Sequence, residues 1–191
     1  MPKNFTFWKD KHAEDQNRSQ LSMSRKVCRG ESFEDALPSG YEYADYDVTF
    51  DNKWVQLINE SNDFLSLGIW TKETLYEVMI EQLLPRGSVL VIRGGELVAC
   101  AGLCRYAHSA KIAVMMYFLV HHDHRGQGLS HAMIQKVLQY CKNNGFRAIS
   151  LLTDDYRLAA IKVYLREGFL PVDQNSIESE EKWRKVFEQL K

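Results

Sequence analysis

The chain is 191 residues long, which suits one domain with an appended arm or tail. Apolar residues make up 45% and charged residues 26%, enough to build a single buried core in water. A net charge of −1 gives neither a basic field for nucleic acid nor a cationic face for a membrane, so neither partner is expected.

The longest apolar run, Ile112 to Val120, is too short to cross a bilayer as a helix. The opening stretch MPKNFTFWKDKHAEDQNRSQ has no hydrophobic signal core. Cys28, Cys100, Cys104 and Cys141 form no CxxC pair and sit mostly in apolar segments, as reduced, buried thiols do. Together these features predict a cytoplasmic protein.

Residues 1–40 are polar and mixed in charge, which predicts an irregular arm with Phe5, Phe7 and Trp8 as anchors. The globular pattern covers residues 41–175. Trp54, Leu57 and Ile58 have helical spacing, and so do Leu75, Met79, Ile80, Leu83 and Leu84 after Thr71, a predicted N-cap. Pro85, Arg86 and Gly87 are expected to stop that second helix. The aromatics Trp54, Phe64, Trp70 and Tyr76 are expected in the core or on the acceptor side.

Next comes SVLVIRGGELVACAGLCRY, two apolar runs joined by Gly94-Gly95, a hairpin signal. KIAVMMYFLV predicts a central strand. Leu129, Met133, Val137, Leu138, Tyr140 and Cys141 then form an apolar helical stripe that runs out at Asn143-Asn144-Gly145. AISLLT predicts a buried strand, and DDYRLAAIKVYLREG a helix capped by Asp154 or Asp155 and ended by Gly168. FLPV is a further short strand. Residues 176–191 carry Trp183, Val186, Phe187 and Leu190 on one face, a helix that packs on the domain or at a dimer interface. The order predicts an α/β (α+β) domain: a mixed, mostly antiparallel central sheet with helices on both faces, as a monomer or homodimer.

HHDHRGQGLS, residues 121–130, allows a metal site or a phosphate cradle. Neighbours on an extended chain point to opposite faces, so His121 and His122 are expected not to share an ion, and no metal is predicted. Gly126 and Gly128, lacking Cβ atoms, let their amides approach an anion at the mouth of a helix, where the first-turn N–H groups point the same way. A diphosphate suits such a nest. No loop ending in Gly-Lys-Ser/Thr is present, which excludes a P-loop enzyme.

Arg125-Gly126-Gln127-Gly128-Leu129-Ser130 after a central strand, followed by Ala160, Tyr164 and Gly168-Phe169 in AAIKVYLREGF, resembles the GNAT N-acetyltransferase superfamily. The resemblance covers roughly residues 50–172 and is strongest from residue 112 on. It departs at Ser130, where the family has glycine or alanine, and at Arg157, where the family commonly has asparagine. It implies the GNAT fold, with a splayed strand pair, and acetyl-CoA as co-substrate. Main-chain groups near Leu119 and Val120 would align the pantetheine amides, and the amides of Arg125, Gly126, Gln127, Gly128, Leu129 and Ser130 would hold the pyrophosphate. Arg157 and Ala160 would also lie along the cofactor, with the Arg157 guanidinium available to a phosphate.

Tyr164 is the implied general acid. Its phenol, with an ordinary pKa near 10, stays protonated at neutral pH yet can protonate a thiolate whose conjugate acid lies near about 8.5. Acidic residues of the early segment, Tyr117, His121, His122 and a water relay are all open as general base. The implied activity is transfer of acetyl from acetyl-CoA to a primary amine of a small molecule or peptide by direct attack on the thioester. The alternative is a non-catalytic CoA-binding regulatory module on the same fold.

Overall fold

The computed structural model describes residues 20–61, 68–106, 109–172 and 177–191. Phe5, Phe7, Trp8 and Phe64 lie outside the described residues. In chain order the strands are β1 Leu21–Lys26, β2 Glu42–Ala44, β3 Leu83–Arg93, β4 Glu96–Arg105, β5 Ile112–Val120, β6 Ala148–Thr153 and β7 Leu170–Val172. The helices are α1 Asp51–Glu60, α2 Lys72–Val78, α3 Leu129–Asn143, α4 Leu158–Arg166 and α5 Ile177–Gln189. The described strands form one sheet in the order β2-β3-β4-β5-β6-β1-β7. Every neighbouring pair is antiparallel except β5 and β6, which run parallel and are joined by α3. This is the mixed, mostly antiparallel sheet expected.

Local chemistry accounts for most of the elements. Gly94 and Gly95 both have positive φ, the requirement for the tight two-residue turn that pairs Arg93 with Glu96. The Thr71 hydroxyl accepts from the Thr74 amide and caps α2 as predicted. Gly145, at φ 74°, lets the chain leave α3 and enter β6. Along β3, Val89 and Val91 face one core with Met133, Ile134 and Val137 of α3. Leu90 faces the other, with Trp54, Leu57 and Ile58 of α1 and Leu75 of α2. Strand alternation thus buries both faces of the sheet under helices.

Three expectations need correction. The stretch 1–40 is not irregular throughout: Leu21–Lys26 is a sheet strand, hydrogen-bonded to β6 on one side and β7 on the other. Leu21 and Met23 alternate inward and are fully buried, and that is what draws this polar segment into the sheet. The second helix ends at Val78 and a 3-10 turn follows; Leu83 pairs with Cys104 on β4, and Leu84 belongs to the α3-side core. Pairing with β4 therefore overrides the helical spacing. Neither Asp154 nor Asp155 caps α4, whose first turn has Arg157 at the N-cap without a side-chain acceptor. Asp154 instead accepts from Gln20, Tyr156 and Arg157.

The terminal helix α5 packs on the domain: Trp183 and Val186 are buried in the main core, and α5 lies against β1. No helix among the described residues is long and apolar enough to cross a membrane.

Because β1 is the only strand on the far edge of β6 among the described residues, its packing should control the stability of the whole sheet. Met23→Ala, which empties a fully buried site, is expected to lower unfolding free energy by about 2–5 kcal/mol in urea denaturation. A loss below about 0.5 kcal/mol would mean that the strand is peripheral.

Candidate active site

β5 and β6 pair only over Ile112–Val114 and Ala148–Ser150. Beyond that point both strands continue, β5 to Val120 and β6 to Thr153, without pairing to each other. Each is held from its other side: β5 by β4 as far as Ala99–Val120, β6 by β1 as far as Leu21–Thr153. The result is a wedge-shaped opening where the β5 edge has no partner strand among the described residues. Inside β5, Tyr117 adopts φ 50°, and the register against β4 jumps from Gly102–Met116 to Cys100–Leu119. This is a β-bulge, which bends the strand and re-aims its groups beside the opening. Leu119 faces the α1-side core, so its side chain is committed and only its main chain borders the gap.

The chain leaves β5 through a 3-10 turn, His122–His124, started by His121, whose Nδ1 accepts from the Asp123 amide at 3.3 Å. Gly126 and Gly128 then take φ 75° and 83°, left-handed values that only glycine adopts without strain. A Cβ at either position would meet nothing within 4 Å, so the space before the loop is open. The amides of Gly126, Gln127, Gly128, Leu129 and Ser130 donate to no carbonyl among the described residues. The amide of Arg125, by contrast, is engaged by the His122 carbonyl at 3.3 Å. Its Nε donates to the Val120 carbonyl at 3.0 Å. Of the six amides expected to hold a pyrophosphate, that of Arg125 is therefore engaged, and the carbonyl of Val120 is already occupied. Leu129 is buried and anchors the helix start, leaving its amide at the mouth.

Tyr164 stands on the buried side of α4. Its ring is edge-on to Phe118 of β5, 6.0 Å between centroids, and 5.8 Å from Phe169. Phe118 lies on the stretch of β5 that has parted from β6, so the Tyr164 ring packs against that stretch. Ala160 is half-buried one turn earlier on α4. Arg157 is not available as expected: Asp154 holds its Nε at 2.8 Å, and the guanidinium lies over the Tyr156 ring. Burial pulls its pKa down, but the Asp154 charge outweighs that and the guanidinium stays ionised.

The open choices of base narrow. Burial pushes the Tyr117 phenol well above its ordinary range, with Trp70 edge-on at 4.9 Å, so Tyr117 is held neutral and is a poor proton acceptor through its anion. The His121 ring faces Asp123 through Nδ1 and Glu60 through Nε2, each at 3.9 Å.

Two joins brace the helices on either side of the opening, and neither was read from the sequence. The buried Glu167 carboxylate accepts from Gln135 at 2.7 Å and lies 2.7 Å from His131 Nδ1, tying the end of α4 to the first turns of α3. The buried Asp51 accepts from Tyr46 at 2.8 Å and Tyr76 at 3.0 Å, tying α1 to α2. Burial, then the hydrogen bond to Asp51, pushes the Tyr46 phenol up, so it stays a donor. In the sequence each is a lone acid, 36 or 25 residues from one of its partners, with no local pattern.

The family described as "Acetyltransferase (GNAT) family" matches residues 54–169, more than half of the chain. The chain belongs to the GNAT acetyltransferase family. Among solved GNAT-type structures, it is similar to a GCN5-related N-acetyltransferase from Sphaerobacter thermophilus, with a TM-score of 0.66 at 16% identity over 85% of this chain and 52% of that one. It is similar too to the ribosomal-protein-S18-alanine N-acetyltransferase from Escherichia coli, with a TM-score of 0.56 at 18% identity over 67% of this chain and 76% of that one. At such identities these likenesses show the GNAT fold alone. N-acetyltransferase 8B of Rattus norvegicus is 32% identical over 60 residues, 31% of this chain. The human protein of that name is 31% identical over 61 residues, 32% of this chain. Each match spans 27% of the relative's length.

The brace between α3 and α4 can be tested as part of this GNAT fold. Glu167→Leu strands the side chains of His131 and Gln135 and is expected to lower stability by about 1–3 kcal/mol, read as a lower urea midpoint at unchanged slope. An unchanged midpoint would make the contact incidental.

Proposed function

We propose that the protein is an N-acetyltransferase that moves the acetyl group of acetyl-CoA to a primary amine by direct attack of the amine on the thioester. The observation that carries this reading is the continuity of three features. Open glycine amides at the mouth of α3 lead to the edge of β5 in the wedge, which has no partner strand among the described residues, and a tyrosine ring packs against that stretch. The residues present fit the carrier: five amides without a carbonyl partner among the described residues suit a diphosphate, and a strand edge without a partner strand among them suits an extended arm of amides. Acetyl-CoA supplies the activated acetyl group.

Gly126, Gln127, Gly128, Leu129 and Ser130 grip the diphosphate through main-chain N–H groups, aided by the positive end of α3. The β5 main chain past Val114 aligns the arm in the opening, and Phe118 and Tyr164 exclude water from it. As the amine nitrogen bonds to the carbonyl carbon and the C–S bond breaks, Tyr164 donates its phenolic proton to the departing sulfur and is restored by the proton that the nitrogen sheds to solvent. The three buried thiols offer no competing covalent route: burial pushes Cys100 and Cys141 up to about 12 and Cys104 to about 11. This favours direct transfer over a cysteine relay. A solved structure of similar fold, that of AAC(6')-Iy, with a TM-score of 0.58 at 18% identity over 71% of this chain and 95% of that one, is in complex with CoA-S-monomethyl-acetylneamine, a bisubstrate analogue, and this supports the reading.

The test is a thiol-release assay with acetyl-CoA across a panel of primary amines, run on the wild type and Tyr164→Phe. The variant keeps the ring contacts to Phe118 and Phe169 and loses only the hydroxyl. Turnover is expected to fall about 100-fold or more, with KM for acetyl-CoA little changed. Equal turnover in the variant would reassign Tyr164 to packing. Tight CoA binding with no acceptor in the panel would instead support the CoA-binding regulatory module.

A further inference from the structure

The turn between β5 and the glycine loop brings together side chains that the acyl-transfer reading leaves unused. On an extended chain His121 and His122 would point apart. In the structure a 3-10 turn begins at His122, directly after His121, and the two imidazoles lie side by side, 4.2 Å between centroids and tilted by 31°. Asp123 stands against both. Its Oδ1 is 3.4 Å from His122 Nε2, and its Oδ2 is 3.9 Å from His121 Nδ1. One ligand atom from each of the three residues falls within 4.8 Å of the other two. Donors around a tetrahedral zinc, with bonds of about 2.0–2.1 Å, stand roughly 3.3 Å apart, so modest side-chain rotation closes the set. His122 and Asp123 are free to make that adjustment, with side chains 58% and 72% exposed.

A second observation comes from the other nitrogen of His121. Nδ1 accepts a long hydrogen bond from the Asp123 amide at 3.3 Å, so it carries no proton, and a metal ion would take that lone pair in place of the amide. The ring proton then sits on Nε2, which faces the Glu60 carboxylate of α1 at 3.9 Å. A carboxylate on the far side of a histidine is the outer arrangement that metal-binding imidazoles use to fix tautomer and raise basicity, and Glu60 stands where a small movement would supply it. Two imidazoles and one carboxylate select a borderline divalent ion such as Zn²⁺, Co²⁺ or Ni²⁺ over Ca²⁺ or Mg²⁺, which want oxygen.

We propose that His121, His122 and Asp123 form a surface site for a divalent transition metal, with water completing the coordination and Glu60 positioning His121 from behind. The site lies at the entrance to the glycine loop and uses none of the amides assigned to the diphosphate. Its existence does not depend on the acetyl-CoA reading.

The experiment is calorimetry of the untagged, EDTA-treated full chain titrated with ZnCl2, together with Co²⁺ absorption as a report on coordination. One equivalent of Zn²⁺ is expected, with proton release and visible Co²⁺ d–d bands. His122→Ala should abolish both signals, and Glu60→Gln should weaken Zn²⁺ by about tenfold while leaving the stoichiometry at one. Cys28→Ser, which removes the exposed thiol that is the other conspicuous soft ligand among the described residues, should change nothing. Absence of binding to the wild type, binding that survives His122→Ala, or binding lost in Cys28→Ser would overturn the proposal. Circular dichroism of His122→Ala guards against misfolding as the cause of its loss. None of these readouts uses acetyl-CoA, so failure here leaves the acyltransferase reading standing, and the converse holds.

Discussion

The structure turns on the parting of two parallel strands. β5 and β6 share three residue pairs and then diverge, because each is pulled to its own side by an antiparallel partner, β4 or β1. The bulge at Tyr117 adds local twist to β5 in the same stretch. A sheet that opens in its middle leaves main-chain donors and acceptors without partners, and such groups need satisfying. At Val120 the chain meets that need itself, with the Arg125 side chain. Further into the wedge the β5 edge has no partner strand among the described residues, and the strand leads on to the glycine loop.

The two sides of the wedge have different origins in the chain. The β5 side is local, since β3, β4 and β5 are consecutive and their pairing follows from one tight turn and one short connection. The β6 side depends on a strand more than 120 residues away, with Ser24 reaching both the Ile149 carbonyl and Ser150. On the two faces of the sheet, the buried carboxylates of Asp51 and Glu167 each draw two hydrogen-bonding side chains from neighbouring elements. Burying a carboxylate is costly unless it is well partnered, so each such group restricts how its helices can sit. Glu167 follows Tyr164 by less than one turn and so couples the placement of the tyrosine to the helix whose mouth holds the glycine loop.

Much of this was legible in the residues, for reasons that are local. Gly94-Gly95, Thr71 and Gly145 act through their own backbone or hydroxyl, and the structure uses each as its chemistry dictates. The family was legible because two short motifs fall at the right spacing around one helix and one strand. What was missed is nonlocal. Leu21 and Met23 are two apolar residues in a polar stretch, too few to signal a strand, and only the distant β6 edge makes them one. Leu83 and Leu84 continued a helical stripe until β4 claimed Leu83. Asp154 had the chemistry of a cap, but Arg157, Tyr156 and Gln20 compete for its oxygens. His121 and His122 would diverge on an extended backbone, and the 3-10 turn that starts at His122 brings their rings together instead.

The central claim is that the amides from Gly126 to Ser130 and the edge of β5 in the wedge are the surface that receives the carrier. Hydrogen–deuterium exchange with and without saturating CoA measures this directly. Slowed exchange is predicted in peptides spanning residues 115–131, strongest at Gly126–Ser130, with β2 and β3 unchanged. Protection confined to other segments while CoA is bound, with 126–130 still exchanging freely, would contradict the account.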